Sequence, residues 1–471
     1  MPTMSSLPPE VADMICQRAQ QTDIPSLRLL SHFWHGVATR HYCKNVKLYF
    51  KQDSFHRVLN IGAHTDWSRN VTTLLYQPDT LEIKDQETWD RDFKFDFLSC
   101  LIPNKFKVPS VEASGEDWRN FTRDTSRLCA GEHDFTARLD TETAWGIYQR
   151  YVLEQDLLWK DDCAQQEMRL ILGRCSHLSH IEMNYGGGLY TSPKHPFTGA
   201  YCVPKSNLTI GDDKMPNSIE HMLTLMSAIY FSKRELKTLR VGFVSWQFFE
   251  RLRSDADHMK MIGEIVSSLT TLHFAIAIGP PDDEAEDADW ELDECVDTMK
   301  SQILGDVIAQ APNLTNLTIE FDRHRPYCPI DLPDLLLNTH WPHLRSFTLC
   351  CADIEDEEPL LEFSERHAST LVEISFGTLV LVKGRWEKVL TRMRKMLRLS
   401  SARFTKYLMS QDPSRFWDFS TPPHTAMKMQ DHRGEQTEST LEKWMVREVG
   451  GRCPLLDRDK YPIVRMEELE D

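Results

Sequence analysis

The N-terminal stretch Leu7–Leu48 reads LPPEVADMICQRAQQTDIPSLRLLSHFWHGVATRHYCKNVKL, and it guides how the rest of the chain is interpreted. Its opening LPPE predicts a helix start, because proline is tolerated in a first turn and an early glutamate suits the positive end of the helix dipole. Asp23 and Ser31 predict the starts of two further helices. Three short helices in about 40 residues are too few to close a dry core unaided. We therefore expect this module to bury part of its surface against something else.

These residues resemble an F-box, the motif that docks a substrate-receptor subunit onto the Skp-type adaptor of an SCF (cullin–RING) ubiquitin ligase. The resemblance rests on the following residues: Leu7 to Val11, Ile15, Asp23 to Ser31, Phe33-Trp34 and Val37-Ala38. It implies an adaptor-binding set: Leu7, Pro8, Val11, Ile15, Leu27, Leu30 and Trp34. The sequence leaves open which of these face the adaptor and which lie inside the three-helix unit. An ordinary helical cap on a larger domain is the alternative.

Charge and composition exclude several classes of protein. The chain has 471 residues, of which 71 are acidic and 54 basic, giving a formal net charge of −17. Sequence-independent binding to nucleic acid or to an anionic membrane needs a net basic face, so neither is expected. The start of the chain lacks a basic-then-apolar signal, and no run approaches about 18 uncharged apolar residues. We therefore expect a soluble protein of the cytoplasm or nucleus.

From about Cys175 one spacing recurs: an apolar residue, two others, a second apolar residue, one other, then a third. Six copies are Leu178-Ile181-Met183, Leu236-Leu239-Val241, Leu269-Leu272-Phe274, Leu314-Leu317-Ile319, Leu344-Phe347-Leu349 and Leu371-Ile374-Phe376. Each follows a segment with helical periodicity, and units of this length bury a continuous core only when they stack. The triplets resemble the LxxLxL strand core of leucine-rich repeats, in a degenerate form.

The expected fold class is therefore α/β: a three-helix F-box followed by an irregular leucine-rich-repeat-like α/β solenoid. A doubly wound α/β domain is the competing fold, because it too alternates helix and strand. We predict four regions: the helical module over 5–45, an irregular region with first repeats and a long helix over 46–172, the repeat region with a C-terminal cap helix over 173–403, and a charged tail over 404–471.

Two charged segments have alternative interpretations. Lys383–Arg403 is basic and amphipathic, as are calmodulin targets and membrane-surface helices, but we favour a helix that caps the repeats. Asp282–Asp297 holds ten acidic residues and no basic one. We interpret it as a solvated loop that leads into a helix, with a docking site for a basic partner as the alternative. In the tail, Glu438–Val449 is the one helical candidate.

The sequence contains no recognised catalytic motif. It has no GxSxG, HExxH or Walker sequence, and no HxE paired with PCxxC. Twelve scattered cysteines without a CxxC pair predict reduced, mostly buried thiols. We therefore predict no catalytic, metal-binding or cofactor-binding residue, no cofactor, and no enzyme activity.

The resemblance implies a substrate-recognition subunit. It would bind the Skp-type adaptor through the F-box and an unidentified protein substrate through the repeat surface, and so hold the substrate near the ligase's E2 subunit. The polar end of the first predicted helix, Cys16 to Gln20, motivates a second interpretation, a repeat scaffold for protein–protein interaction that works without the ligase. An α/β enzyme with an unrecognised site is a third.

Overall fold

A computed structural model describes residues 7–19, 23–81, 83–92, 141–184, 218–278, 288–321, 331–410, 416–418 and 440–456. These residues form a mixed α/β protein whose strands pair mostly in parallel. They divide into two compact units, of which the first extends to His177 and the second comprises Leu178–Glu182 and the residues from Ser218 onward. Within the described ranges, no helix has the length and apolar character needed to cross a membrane.

The first unit begins with three helices and continues into a parallel strand pair and further helices. Its elements are α1 Pro9–Arg18, α2 Ile24–Arg28, α3 His32–Tyr42, β1 Asn45–Tyr49, α4 Gln52–Ala63, α5 Thr65–Ser68, β2 Thr73–Gln77, α6 Gln86–Asp92, α7 Thr141–Trp159 and α8 Cys163–Arg174. Strands β1 and β2 pair from Asn45 opposite Thr73 to Tyr49 opposite Gln77. The predicted helical module and the region predicted over 46–172 thus belong to one compact unit.

The long helix predicted near the end of this unit is broken. Helices α7 and α8 are separated by a 3₁₀ turn, Lys160–Asp162. Asp161 and Asp162 adopt the left-handed backbone conformation, with φ of 54° and 56°. Aspartate visits this conformation more readily than most residues, because its short side chain can hydrogen-bond locally. The prediction of one long helix within residues 46–172 is therefore wrong, because the structure has two helices, α7 and α8, in its place.

Side chains of α4 occupy the outer edge of β1. Arg57 Nη2 donates a hydrogen bond to the Lys47 carbonyl oxygen at 2.7 Å, and the Tyr49 N–H donates to Ser54 Oγ at 3.0 Å. An unoccupied strand edge offers its backbone groups to any other strand. These two hydrogen bonds occupy one N–H group and one carbonyl group of β1, which are then not available to another strand.

The second unit repeats strand and helix along the chain. Its elements are β3 His180–Met183, α9 Ser218–Ser232, β4 Thr238–Ser245, α10 Gln247–Ser254, α11 Ala256–Val266, β5 Thr271–Ala277, α12 Ala288–Lys300, α13 Ile303–Ala309, β6 Asn316–Phe321, α14 Leu332–Leu336, β7 Ser346–Asp356, α15 Glu357–Arg366, β8 Glu373–Lys383, α16 Trp386–Met396, β9 Ser401–Ser410, β10 Phe416–Asp418, α17 Thr440–Met445 and a 3₁₀ turn Pro454–Leu456. Strands β3 to β10 lie side by side in chain order. Strands β4 to β9 pair in parallel, and β10 is antiparallel to β9.

The second and third residues of each predicted triplet lie on the buried face of a strand, and the first lies two residues before the strand begins. Each apolar residue of the triplets is at most 2% exposed. Paired across the sheet are Leu239, Leu272, Leu317, Phe347 and Ile374. Helix side chains pack on this face: the rings of Phe249 and Phe274 are 5.5 Å apart, and those of Phe363 and Phe347 are 4.6 Å apart. The apolar side of the strands therefore faces the helices.

A backbone ladder fixes the register just before each strand begins. The Thr270 N–H donates to the Lys237 carbonyl, Thr315 to Thr270, Arg345 to Thr315, Val372 to Arg345, and Ser400 to Val372, at 2.7–2.9 Å. The number of residues between successive triplets varies widely, yet this hydrogen bond recurs at the residue just before each strand from β5 to β9. Register is therefore set locally at the strand start, not by the length of the intervening segment.

Two of the segments with helical periodicity that precede the triplets are each divided into two helices. The segment over 248–266 forms α10 and α11, which meet at Asp255. The Asp255 carboxylate accepts hydrogen bonds from the N–H groups of Asp257 and His258 and so caps α11. The segment over 296–311 is divided between α12 and α13, with Gln302 at φ 68° between them.

Helix α16 is the basic amphipathic helix predicted over 383–403. Four of its apolar residues lie in the core, each at most 1% exposed: Trp386, Val389, Leu390 and Met393. They are therefore unavailable to calmodulin or to a membrane surface. The helix does not end the repeats, because β9 follows it and pairs in parallel with β8. The sheet extends past the predicted boundary at residue 403 because Leu399, Ala402 and Phe404 continue the triplet spacing.

Part of the predicted tail packs on the end of the second unit. Helix α17 lies within the helical candidate over 438–449 and buries Leu441, Trp444 and Met445. Arg394 Nε donates to the Trp444 carbonyl oxygen at 2.7 Å, which ties α16 to α17. The predicted helix after the acidic loop is present as α12. The acidic residues 282–287, most of the glycine- and proline-containing segment 183–204, for which the sequence predicts an irregular loop, and most of the tail lie outside the described residues.

Candidate docking surface on the N-terminal helices

Helix α1 divides its side chains between two faces. Ala12 and Cys16, one turn apart, are almost fully buried, whereas Val11, Met14 and Ile15 are 40%, 52% and 38% exposed. Residues at positions i, i+3 and i+4 share one face of a helix. The three exposed residues therefore form an apolar stripe on the solvent side of α1. Pro8, which precedes the helix, is exposed as well.

Two leucines after α2 are also exposed. Leu29 and Leu30 are 87% and 53% exposed. Helix α2 has five residues, and α3 starts two residues beyond these leucines. Ser31 caps α3, since its Oγ accepts a hydrogen bond from the Trp34 N–H at 3.3 Å. The cap fixes the start of α3 and leaves both leucines in a short surface connection.

The inner face of the module is a small apolar core. Its buried residues are Ala12, Cys16, Ile24, Trp34, Val37 and Ala38, with Leu7 and Leu27 packed against them. Of the predicted adaptor-binding residues, four are exposed: Pro8, Val11, Ile15 and Leu30. Leu7 and Leu27 are half-buried, and Trp34 is 1% exposed. The structure thus separates residues that can meet a partner directly from those that support the module.

A polar contact joins α1 to α3. His41 Nε2 lies 2.8 Å from Asp13 Oδ1, and Gln17 Nε2 donates to Asp13 Oδ2 at 2.9 Å. The hydrogen bond from His41 is the main reason that the pKa of Asp13 lies below its ordinary value. Burial raises the pKa of the nearby Cys16 thiol. These contacts hold the exposed stripe of α1 in a fixed orientation relative to α3.

Arg28 anchors the module to the rest of the first unit. Its guanidinium carbon lies 4.5 Å from the centre of the Tyr42 ring and 5.9 Å from that of Trp67 in α5. Arg28 Nε also donates to Thr39 Oγ1 at 3.1 Å, and Asn70 Nδ2 donates to the Thr39 carbonyl oxygen at 3.2 Å. Cation–π contacts of this kind stabilise by about 0.5–1 kcal/mol at exposed sites. The module therefore has one anchored side and one apolar, uncovered side.

Sequence reasoning did not assign Met14 and Leu29 to the surface. The spacing from Val11 to Met14 to Ile15 could have identified Met14, since all three share one helix face. No comparable signal exists for Leu29, because a five-residue helix is too short for periodicity to define its faces.

Comparison with known proteins adds no further information about this surface. The chain matches no model of a known protein family, and no curated protein sequence matches it.

Proposed function

We propose that the chain is a substrate receptor of an SCF-type ubiquitin ligase. The observation that supports this most is the set of exposed apolar residues on a module with the F-box motif: Val11, Met14, Ile15, Leu29 and Leu30. Concentrated exposed apolar surface is typical of protein-binding sites. In the proposal these residues, with Pro8, contact the Skp-type adaptor. Trp34 supports them from inside, and Leu7 and Leu27 do so from the edge of the core.

The second unit is the proposed substrate-binding part, and we propose that it is a leucine-rich-repeat-like solenoid. Strand order that follows chain order, without the reversal of a doubly wound sheet, supports this. On the strand face opposite the triplets, one row crosses six strands: Arg240, His273, Thr318, Thr348, Ser375 and Arg403. These polar side chains are exposed or half-exposed and could contact a protein. The receptor performs no bond chemistry and acts by holding the substrate near the ligase.

The adaptor contact is tested by co-expressing the full chain with a Skp-type adaptor and measuring the mass of the complex by size-exclusion chromatography with light scattering. The wild-type chain is expected to form a one-to-one complex. The double variant Leu29→Glu/Leu30→Glu places two charges at the proposed interface and is expected to weaken binding more than 100-fold. Both residues are exposed, so the module should still fold.

A matched control is available on α7. Leu153 and Leu157 are 63% and 53% exposed, compared with 87% and 53% for Leu29 and Leu30. The variant Leu153→Glu/Leu157→Glu is expected to bind the adaptor as the wild type does. Unchanged binding by the test variant, or a wild-type chain that stays monomeric beside free adaptor at micromolar concentration, would refute the proposal. The second of these results would favour a scaffold that works without the ligase.

A further inference from the structure

Asp353 in β7 is a buried carboxyl group without a visible counterpart. Asp353 is only 7% exposed, and no described residue makes a hydrogen bond to its Oδ1 atom. Burying a carboxylate without a partner costs several kcal/mol, so buried polar groups are nearly always hydrogen-bonded. An exception of this kind on a strand surface calls for a functional explanation.

The register of the sheet places Asp353 beside apolar residues of the next two strands. Asp353 lies opposite Val380 in β8, and Val380 lies opposite Met409 in β9. Paired residues of parallel strands direct their side chains to the same face. Val380 and Met409 form a small apolar cluster with Tyr407, separate from the main core. A carboxyl group therefore stands at one end of an apolar strip about 10 Å long, the width of two strand spacings.

Charges from other residues do not account for the state of this carboxyl group. Burial alone raises the pKa of Asp353 to about 7. Charged residues elsewhere on the adjoining strands are Glu320 in β6, Glu355 and Asp356 in β7, Glu373 and Lys383 in β8, and Arg403 and Lys406 in β9. Of these, Lys383 is paired with Glu355. Asp353 therefore has the capacity to neutralise one added positive charge.

We infer that Asp353, Val380, Tyr407 and Met409 form a subsite that binds a lysine or arginine side chain of a protein partner. Such a side chain has an apolar stem and a charged end, which matches an apolar strip that ends in a carboxyl group. The aromatic ring of Tyr407 adds a favourable surface for a cation. The inference rests on the proposed function only in taking that partner to be the substrate.

Proton linkage gives this subsite a measurable signature. A bound cation favours the ionised carboxylate, so binding releases the proton that Asp353 holds at lower pH. With a pKa of about 7 in the free protein, the ionised fraction rises about tenfold between pH 6 and pH 8. Affinity for a basic side chain should rise by the same factor over this range.

The test uses the full chain and three probe peptides: acetyl-Gly-Lys-Gly-amide, acetyl-Gly-Arg-Gly-amide and the norleucine analogue. Binding is followed by NMR of protein labelled with ¹³C at the aspartate carboxyl carbons, and the Asp353 signal is assigned from its absence in D353N. We expect the lysine or arginine peptide to bind about tenfold more tightly at pH 8 than at pH 6, and to lower the pKa of Asp353. Binding to D353N should be at least tenfold weaker at pH 8.

The control variant is Glu373→Gln, which removes an exposed carboxylate from a neighbouring strand and is expected to bind as the wild type does. The inference is overturned if the norleucine peptide binds equally well, if D353N binds like the wild type, or if affinity is equal at pH 6 and pH 8. The pH comparison needs no variant, so a folding defect in D353N cannot hide the answer. Adaptor binding is measured separately on the N-terminal module, and each proposal can therefore fail without the other.

Discussion

The N-terminal module and the repeated strands treat apolar residues in opposite ways. Every residue of the six predicted triplets is at most 2% exposed, whereas five apolar residues of the module are between 38% and 87% exposed. Both regions contain leucine, isoleucine, valine and methionine, so composition does not explain the contrast. In a strand, alternation places the second and third residues of a triplet on one face, and the first lies just before the strand begins. In the module, short helices leave apolar residues on the outer side, where only a partner can cover them.

The largest expected effect is a loss of stability when a buried residue of a triplet is replaced. Phe347 in β7 is 1% exposed and packs against Phe363. Phe347→Ala should lower the local free energy of unfolding by about 3–5 kcal/mol, because it removes a buried ring and leaves a cavity. Hydrogen exchange of the β7 amides measures this directly. The comparison variant Leu30→Ala should change it by less than about 0.5 kcal/mol, since surface substitutions seldom matter more. If both substitutions changed the free energy of unfolding by a similar amount, the difference in burial between the two regions would not reflect a difference in their contribution to stability.

A smaller effect concerns a titratable group in the repeat core. His221 in α9 is fully buried, and burial lowers its pKa to about 3. Because the folded pKa lies below the unfolded value of about 6.5, only the unfolded chain binds a proton between these limits. Stability is therefore complete above about pH 6.5 and falls as the pH decreases, by roughly 2 kcal/mol at pH 5.

His221→Gln removes this dependence. The variant should lose the decline between pH 6.5 and pH 5, whatever its stability at neutral pH. Urea unfolding of the full chain, compared at pH 7.5 and pH 5, measures the difference. An undiminished decline in the variant would assign the acid sensitivity to other groups.

The smallest expected effect lies in the module. Asp13→Asn weakens the contact with His41 that joins α1 to α3. Both side chains are partly exposed, so the loss should be about 0.5–1 kcal/mol. The folded pKa of Asp13 is lowered, so its contribution is present above the unfolded value of about 3.9 and is lost as the pH falls through the folded value. Hydrogen exchange should quicken in α1 while β4 to β8 stay unchanged, and equal changes in both regions would contradict a local role.

Much of the sheet could be predicted because its signal is repeated. The triplets follow from strand alternation plus burial, and each copy supports the others. The seventh copy was missed because Ala402 stands where the others have a large apolar residue. Two earlier copies, Cys43-Val46-Leu48 and Val71-Leu74-Tyr76, lie in β1 and β2 and the residues before them, and each of their residues is at most 5% exposed. They are not among the six predicted copies, because they begin with cysteine and valine where the six copies have leucine.

The candidate sites were less predictable for physical reasons. The motif identified the module, but its faces depend on how three short helices pack, which placed Trp34 inside and Met14 outside. Asp353 could not be distinguished from the other acidic residues. Its neighbours in the sheet, Val380 and Met409, come from two later strands, so the sequence around Asp353 does not reveal them.

The backbone ladder at the strand starts also has a consequence for how the second unit forms. Each described strand from β4 to β9 hydrogen-bonds only to its neighbours in chain order. Forming any one pair therefore closes a loop of a few tens of residues, and each further pair extends an existing template. Loop-closure entropy grows slowly with loop length, and folding rates fall as contacts become more distant in sequence. Such a unit can nucleate at any adjacent pair and grow in both directions, so a growing chain can begin to order its strands before its synthesis is complete.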